Sequence, residues 1–398
     1  AKAHSPGKGT AVGIEEEFDM EDRKLRFGIV GGGGGFIGNV HRHGALNNDL
    51  AVLTAGCFSR NAGKNMQTAV KWGIEPSRTY GSYEEMAETE SRLEDGIDFV
   101  SVTTPNNTHY EIAKAFLERG IHVMCDKPVA TDVRQALELE RLAAEKGLLF
   151  GVSYTYGNYP LIRQAREMID HGEIGNIVNI MCEFPQDWVL NAVVSGNPVH
   201  GSWHFDPNVT GNSLCVADIG THLEYLVSAM TGLRLEKVLC VTNVIPEHLL
   251  LETNAQVLLR YEGGIPGMMW ASQVAAGHEC SVSARIFGDR GAIEWNHDTP
   301  AQLRVTRIGQ PTQIYTPAHD FLYPRAQKMS RLPYGHPEGF YEAFDNIYRG
   351  FMTAILKARY GGEEEGYTYP TIHDGVSGMR FVEACLKSSR EGNVWVEV

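Results

Sequence analysis

A run of five consecutive glycines, residues 31–35, limits what this chain can fold into more than any other feature. It directly follows Arg26–Val30, a short segment with the composition of a buried strand, and leads into residues able to continue as a helix. Residues 33–38 fit the pattern G-x-G-x-x-G, which permits a tight turn and close approach of the backbone to a pyrophosphate. The sequence therefore predicts a dinucleotide-binding loop, with a flexible surface loop as the alternative. The predicted contacts are Gly33, Gly35, Phe36, Ile37 and Gly38.

The end of the second predicted strand bears on the choice of cofactor. This strand spans residues 51–58 and is followed by Ser59 and Arg60. An acidic residue in this region would bind the 2′-hydroxyl of NAD, whereas an arginine suits the 2′-phosphate of NADP. Glu75 is the only acidic residue between Leu50 and Tyr83, so the pattern favours NADP. Two alternatives stay open: Arg60 also fits a solvated surface charge, and a serine with backbone amides can serve NAD.

Charge and composition exclude several classes of function. The 398 residues carry a formal net charge of −14 without a basic stripe, which argues against a nucleic-acid binder. The seven cysteines are scattered and include no C-x-x-C pair, which favours reduced thiols in a cytoplasm. No segment approaches about 18 uninterrupted apolar residues, so we predict no membrane span. Residues 1–24 lack the apolar stretch of a secretory signal and are predicted to be an N-terminal extension.

The order of predicted elements divides the remaining chain into two domains. Residues 25–152 alternate strand-like and helix-like segments, as a doubly wound parallel sheet requires, and form the predicted dinucleotide-binding domain. Residues 153–398 contain longer strand-like runs with few helices between them, which predicts an α/β domain with a mainly antiparallel sheet. Predicted strands there are 178–184, 235–244, 254–261, 267–274 and 280–287. Helices are predicted near 109–119, 131–146, 160–171, 221–230, 338–360 and 373–389.

Two polar segments fall at the carboxyl ends of predicted strands, where open α/β sheets bind ligands. Residues 104–108 follow the strand 98–103, and Asp126-Lys127-Pro128 follows the strand 121–125. We therefore expect this edge of the sheet to face the cofactor. The predicted contacts are Thr104, Pro105, Asn106, His109, Asp126 and Pro128.

Three side chains supply the groups that oxidation of a secondary alcohol needs. A histidine such as His222 is suited to take the hydroxyl proton near neutrality while hydride leaves carbon. The Lys127 ammonium would stabilise developing alkoxide in a site that excludes water. Asp218 and His222 stand four residues apart and share a face if the segment is helical; the alternative is an N-cap aspartate and a packed histidine. No second histidine-carboxylate cluster accompanies them, so we predict no metal.

Four motifs occur along the chain in a defined order. They are the glycine loop, Thr-Pro-Asn-x-x-His at 104–109, Asp-Lys-Pro at 126–128 and Asp-Ile-Gly-Thr-His at 218–222. With these motifs the chain resembles the glucose-fructose oxidoreductase/inositol dehydrogenase family, Gfo/Idh/MocA, from about residue 25 to the C-terminus. Residues 154–156, Tyr-Thr-Tyr, and 335–340, Gly-His-Pro-Glu-Gly-Phe, resemble a branch that acts on inositols or anhydrosugars such as levoglucosan.

The resemblance implies both an architecture and residue roles. It implies a Rossmann domain, an α/β domain whose open sheet serves as an oligomer interface, and a site between them, so a homodimer or homotetramer is expected. Lys127 would orient the reacting hydroxyl, Asp218 would hold a neighbouring hydroxyl or the lysine, and His222 would be the acid/base. The family has Glu before the lysine, whereas this chain has Asp126, one methylene shorter.

The predicted sugar pocket uses side chains whose faces and polar groups match a polyol. Aromatic rings stack on C–H surfaces, and acids and imidazoles bind hydroxyls, although aromatic residues fit a core position as well. The candidates are Tyr154, Tyr156, Trp188, Trp203, Asp206 and His336.

Three classes of function stay open. The leading hypothesis is an NAD(P)-dependent dehydrogenase of a sugar or cyclic polyol. A glycosidase could instead use tightly held NAD for transient oxidation and re-reduction of its substrate. The third class is a non-catalytic sensor that binds a dinucleotide as a signal. The presence of Lys127, Asp218 and His222 together argues against the sensor, because a pure binder does not need all three.

Overall fold

The structure is a computed structural model that describes residues 24–196, 202–361 and 366–398. The predicted N-terminal extension, residues 1–24, lies outside these ranges except for Lys24. The described chain folds around a five-stranded parallel sheet and a nine-stranded, mostly antiparallel sheet. The predicted α/β fold class is therefore confirmed. The predicted boundary between residues 152 and 153 stays a prediction.

The parallel sheet contains the first five strands, in the order β2-β1-β3-β4-β5. The strands are β1 (Leu25–Gly31), β2 (Ala51–Cys57), β3 (Phe99–Thr103), β4 (His122–Cys125) and β5 (Phe150–Val152). The connecting helices are α1 (Phe36–Leu46), α2 (Ala62–Trp72), α3 (Tyr83–Glu90), α4 (His109–Glu118) and α5 (Val133–Lys146). Because β1 pairs with both β2 and β3, the strand order reverses beside β1, and a crevice opens at the carboxyl ends of β1 and β3.

Local chemistry accounts for the ends of these helices. The helix predicted for residues 131–146 begins at Val133, because the Asp132 side chain accepts the Gln135 N–H at 3.0 Å and caps it. It ends at Gly147, whose φ of +64° is the left-handed conformation of a helix C-cap. Helix α2 begins and ends in the same way, with Asn61 accepting the Lys64 N–H and Gly73 at a φ of +73°.

The second sheet has the order β13-β12-β11-β10-β6-β9-β8-β7-β14. Its strands are β6 (Ile177–Pro185), β7 (Leu235–Asn243), β8 (Asn254–Tyr261), β9 (Pro266–Ser272), β10 (Ser283–Gly288), β11 (Gly291–Asn296), β12 (Leu303–Arg307), β13 (Gln313–Tyr315) and β14 (Val396–Glu397). The helices of this part are α6 (Pro160–Asp170), α7 (Trp188–Ser195), α8 (Pro207–Thr210), α9 (Thr221–Thr231), α10 (Pro324–Met329), α11 (Phe340–Tyr360) and α12 (Ile372–Arg390). Strands β6 and β9 pair in parallel, and the remaining neighbours are antiparallel.

One face of this sheet carries the larger core, and the opposite face is partly exposed. Helices α6, α9 and α12 pack on the inner face, where alternate strand residues such as Ala284 and Ile286 are fully buried. The outer face presents Val178, Leu258 and Met268, each between 45% and 49% exposed. An apolar sheet face of this kind is unusual for a surface in contact only with water.

Helix α11 joins the two parts of the fold. Phe344, Tyr348 and Phe351 lie in the same apolar cluster as Phe27 and Phe99 of the parallel sheet. The Phe99 and Phe351 rings meet edge to face, with centroids 5.4 Å apart. A helix far along the chain thus completes the core beneath the parallel sheet, which no pattern in its own segment could indicate.

Candidate active site

A cavity of about 1190 Å³ runs from the crevice of the parallel sheet towards the second sheet. The glycine loop and the exits of β2, β3 and β4 line one side of it. Tyr156, Trp203, Asp218 and His222 line the other side. Its volume slightly exceeds the usual range for small-molecule sites of about 300–1,000 Å³, as a site for both a dinucleotide and a substrate requires.

The backbone of the glycine loop shows which glycines are structurally required. Gly31 and Gly32 have φ values of +91° and +75°, so the tight turn lies ahead of the predicted pattern. A Cβ on Gly38 would lie 2.4 Å from the Gly32 Cα, because the start of α1 packs directly on that turn. A Cβ on Gly34 or Gly35 would meet nothing within 4 Å. These two backbones thus form an open cradle at the N-terminus of α1, which fits a pyrophosphate.

The remaining predicted residues of this region also line the cavity. Gly33 donates its N–H to the Phe58 carbonyl at 3.2 Å, which ties the loop to the end of β2. Ser59 and exposed Arg60 follow at the edge of the cavity, where the adenosine ribose of a dinucleotide would lie. Glu84, at the start of α3, also lines the cavity and lies just beyond the segment from Leu50 to Tyr83 on which the NADP prediction rests.

The polar loop after β3 divides into cavity residues and supporting residues. Thr104, Pro105 and Asn106 line the cavity. His109 is 1% exposed and does not line it; its Nδ1 lies 2.7 Å from the Pro128 carbonyl oxygen and its Nε2 lies 2.7 Å from that of Thr104. His109 and Pro128 therefore join the β3 loop to the Asp-Lys-Pro turn behind the cavity wall.

Asp126 is bound by groups from several elements. Its Oδ1 accepts the Lys127 N–H at 2.9 Å and the Ser153 hydroxyl, and lies 3.8 Å from the His41 Nε2. Burial alone would raise the pKa of Asp126, but the charges of His41 and Lys127 and the hydrogen bond from Ser153 hold it well below its usual range. Asp126 is thus a carboxylate at the cavity wall. The Lys127–Pro128 peptide bond beside it is cis.

Lys127 and Asp218 meet across the cavity. The Lys127 Nζ donates to the Asp218 Oδ1 at 2.5 Å and to the Asp218 carbonyl oxygen at 2.9 Å. The Gln273 Nε2 donates to the other carboxylate oxygen of Asp218 at 2.8 Å. Although burial would raise the pKa of Asp218, the positive charge of Lys127 lowers it, so this pair is ionic. The lysine and aspartate side chains stay 16% and 26% exposed, which leaves both open to a ligand.

The backbone around Asp218 is a π-helical turn, Val216–Gly220, that runs into α9. Such turns often occur at functional sites. The buried Glu252 carboxylate anchors it by accepting the Ser213 hydroxyl at 2.5 Å and the Val216 N–H at 3.0 Å. The segment is helical, as the shared-face prediction for Asp218 and His222 assumed, but its first turn is wider than that of an α-helix.

His222 is enclosed by aromatic rings. Its ring centroid lies 5.0 Å from that of Tyr156, 5.8 Å from that of Tyr154 and 6.3 Å from that of Phe184. Burial, followed by the charge of Lys127, lowers the pKa of His222 to about 3. The imidazole is therefore neutral at physiological pH and keeps an unprotonated ring nitrogen.

The predicted sugar-pocket residues separate into two groups. Tyr156 and Trp203 line the cavity, and these join the predicted catalytic residues Lys127, Asp218 and His222. Four others lie outside the wall. Tyr154 is fully buried and stacks on Tyr225. Trp188 begins α7, and Asp206 caps α8 by accepting the Asn208 N–H. His336 is exposed, and its Nδ1 lies 3.0 Å from the Pro333 carbonyl oxygen.

Several cavity residues were missed because no motif marks them. Phe340 and Phe344 reach the wall from α11, and the Phe36 and Phe340 rings stack with centroids 6.0 Å apart. Polar cavity residues found only by the fold include Ser153, Gln186 and His204. Gln273 lies behind the wall and reaches the site through its contact with Asp218. Within the described ranges, no group of three or more His, Cys, Asp or Glu is arranged to hold a metal ion, and no helix is long and apolar enough to cross a membrane.

The dinucleotide cradle and the Lys127–Asp218–His222 arrangement define an oxidoreductase that binds a nicotinamide dinucleotide. The sequence profile "Oxidoreductase family, NAD-binding Rossmann fold" matches residues 25–154, and the "GFO/IDH/MocA C-terminal domain" profile matches residues 162–294. The chain belongs to the Gfo/Idh/MocA oxidoreductase family, as its motifs predicted.

Relatives within the family are similar over nearly their whole length. An uncharacterized oxidoreductase of Bacillus subtilis, YfiI, is 35% identical, with 94% of this chain and 97% of the relative covered. An inositol dehydrogenase homolog of Azotobacter vinelandii, solved with NAD⁺, is 37% identical with a TM-score of 0.91 over 94% of this chain and 98% of that one. A structure of an inositol dehydrogenase homolog from Azotobacter vinelandii with NADH and myo-inositol is 36% identical, with a TM-score of 0.87 over 94% of this chain and 98% of that one. The levoglucosan dehydrogenase of Pseudarthrobacter phenanthrenivorans is 25% identical, with 94% and 98% covered.

Proposed function

We propose that this oxidoreductase is an NAD(P)-dependent dehydrogenase that transfers hydride between a secondary hydroxyl of a sugar or cyclic polyol and the nicotinamide. The observation that carries the proposal is the meeting of Lys127, Asp218 and His222 at the carboxyl edge of the parallel sheet, in one cavity with the glycine loop. The names of the relatives, which include myo-inositol and levoglucosan, support a polyhydroxylated ring as the substrate.

The proposed mechanism assigns one task to each side chain. Bound dinucleotide supplies the hydride acceptor. The Lys127 ammonium donates a hydrogen bond to the reacting oxygen and stabilises its developing negative charge. Neutral His222 takes the hydroxyl proton, and Asp218 holds the lysine and stabilises the resulting imidazolium. The aromatic residues around His222 exclude water and fix its ring.

For the cofactor we propose a preference for NADP set by Arg60. Its guanidinium is exposed at the edge of the cavity, beside the expected 2′-position of the ribose. The Arg60→Ala variant should lose affinity for NADP while its affinity for NAD changes little, because the arginine would pair only with the 2′-phosphate. Calorimetric titration with both dinucleotides measures this, with Lys71→Ala on the exposed side of α2 as the control. Equal losses for both cofactors would contradict the role of Arg60.

The direct test of activity is nicotinamide reduction followed by absorbance. Purified protein is assayed with NAD and NADP in parallel against inositols, hexoses, glycosides and anhydrosugars. Turnover with one polyol or sugar establishes the dehydrogenase. Dinucleotide binding without net reduction on any substrate would contradict it and would favour the transient-oxidation glycosidase or the sensor.

We further propose a cytoplasmic homodimer or homotetramer that associates through the outer face of the nine-stranded sheet. Leu258 and Met268 face each other across β8 and β9 on this face, each almost half exposed. The Leu258→Glu variant should dissociate the oligomer because it places a charge within the apolar patch. Light scattering after size exclusion measures the mass, with Ile308→Glu on an exposed turn as the control. A monomeric unmodified protein would contradict the proposed interface.

A further inference from the structure

Gln273 makes a contact that the proposed mechanism has not used. It follows the last residue of β9 and is completely buried. Its backbone is held on both sides: its N–H donates to the Thr253 carbonyl at 2.8 Å, and its own carbonyl accepts the Val189 N–H at 3.1 Å. Its side-chain amide reaches the Asp218 carboxylate at 2.8 Å. A buried amide on a fixed backbone can hold its partner in one orientation.

The two oxygens of Asp218 have different donors. Oδ1 accepts from Lys127, and Oδ2 accepts from Gln273. A carboxylate only accepts hydrogen bonds, so the NH₂ of Gln273 must face it and the amide oxygen must face away. That oxygen, Oε1, is buried and has no hydrogen-bond partner among the described residues. Because an unpaired buried acceptor is costly, the residue type is not explained by stability alone.

We propose that Gln273 is a positioning residue for catalysis: it locks the Asp218 carboxylate so that the oxygen facing Lys127 presents the ammonium to the substrate hydroxyl in one orientation. This inference rests on the proposed dehydrogenase function. Without the amide, the carboxylate could rotate away from this orientation, and the Lys127 ammonium would lose its fixed position. Misplacement of a catalytic group by about 1 Å can cost about 100-fold in rate.

A neutral donor is also the appropriate partner for this carboxylate. The potential cations that face Asp218 are Lys127 from the exit of β4, His204 from the 202–205 segment and His222 from α9. The Tyr156 hydroxyl and the thiols of Cys215 and Cys280 are the other titratable groups close enough to interact with its charge. Unlike the three potential cations, the Gln273 amide is a neutral donor to Oδ2. A glutamate in place of Gln273 would instead put a second acid about 3 Å from Asp218, and two such acids cannot both ionise freely.

Two substitutions separate positioning from simple structural support. The Gln273→Met variant keeps the side-chain length without the donor, and kcat should fall about 10- to 100-fold while the Kd for the dinucleotide stays within about twofold. In Gln273→Glu the acidic limb of the pH profile of kcat/KM should move to higher pH by about one unit or more. Gln310→Met and Gln310→Glu, on the exposed turn between β12 and β13, are the matched controls. Unchanged kcat in Gln273→Met with an unmoved acid limb in Gln273→Glu would overturn the proposal.

A measurement independent of turnover separates this proposal from the proposed function. Protein carrying ¹³C-labelled aspartate is titrated by NMR, and the Asp218 signal is identified by its loss in Asp218→Asn. The Asp218 signal should titrate at higher pH in Gln273→Glu than in the unmodified protein, whether or not a substrate has been found. The same titration midpoint in both proteins would overturn the positioning role even if the enzyme were inactive on every sugar tested.

Discussion

The protonation state of His222 can be tested through stability, without any substrate. The pKa of this buried histidine is about 3 in the folded protein, against an ordinary value of about 6.5 in an unfolded chain. Between these values the unfolded chain binds a proton that the folded chain does not. Stability therefore rises with pH over this range, and His222 destabilises the protein progressively as the pH falls from about 6.5 towards 3.

The magnitude follows from the size of this window. At pH 5 the unfolded histidine is protonated and the folded one is not, so the difference covers about 1.5 pH units, or about 2 kcal/mol. Above pH 7.5 the contribution vanishes. In His222→Gln it is absent at every pH. The gap in unfolding free energy between the unmodified protein and the variant should therefore shift by about 2 kcal/mol, in favour of the variant, from pH 7.5 to pH 5.

Urea unfolding at several pH values between 5 and 7.5 measures this gap directly. Burial, and then the charge of Asp374, raise the pKa of Glu224 to about 8. Glu224 therefore lowers the stability of the protein as the pH rises over the same range, which is the opposite direction to His222. It is present in both proteins, so its effect cancels in the comparison. Parallel pH dependences of the two proteins would refute the argument, because His222 would then titrate near its ordinary pKa and would not be a neutral buried base.

Three further predictions concern catalysis, the glycine loop and the turn around Asp218. Lys127→Ala should abolish most turnover, as measured by nicotinamide absorbance, while dinucleotide affinity stays largely intact; full activity would contradict its role. Gly38→Ala should lower the free energy of unfolding measured in urea by about 1–3 kcal/mol, because the added Cβ would meet the backbone of the turn. Gly35→Ala should fold normally and weaken only dinucleotide binding, because its Cβ would meet nothing within 4 Å. Glu252→Gln should lower the free energy of unfolding by about 1–3 kcal/mol, because the NH₂ of the glutamine would face the hydrogen-bond donors of the turn. An unchanged free energy would show that the turn does not need the Glu252 carboxylate.

Much of the fold could be predicted because its strands and caps are local signals. The strand predicted for residues 254–261 matches β8, since its burial alternates along its length. The strand predicted to reach Val274 ends at Ser272. Gln273 still donates its N–H to the Thr253 carbonyl, which lies opposite it in the continued register, so the predicted end is two residues too long although the pairing persists one residue beyond the strand. The place of α11 beneath the parallel sheet could not be predicted, because its contacts join residues about 300 positions apart, such as His41 and Tyr348.

The glycine run shows a different limit of sequence reasoning. Only glycines 33, 35 and 38 fit the G-x-G-x-x-G pattern, but a run of five glycines leaves open which of them form the turn and which approach the pyrophosphate. Backbone geometry distinguishes them. The positive φ angles fall at Gly31 and Gly32, and the close packing contact joins Gly32 to Gly38. The run is therefore longer than the pattern because different glycines form the tight turn, the open cradle and the contact with helix α1.

The shorter acid before Lys127 is explained by its local hydrogen bonds. Asp126 accepts the N–H of the next residue, Lys127. It also accepts the Ser153 hydroxyl from the end of β5, so the carboxylate stays at the strand exit. A glutamate there would carry its oxygens one methylene further and would lose the bond to its neighbour. In this chain the acid before the lysine therefore shapes the turn that carries Lys127, and the direct contact with the lysine ammonium is left to Asp218.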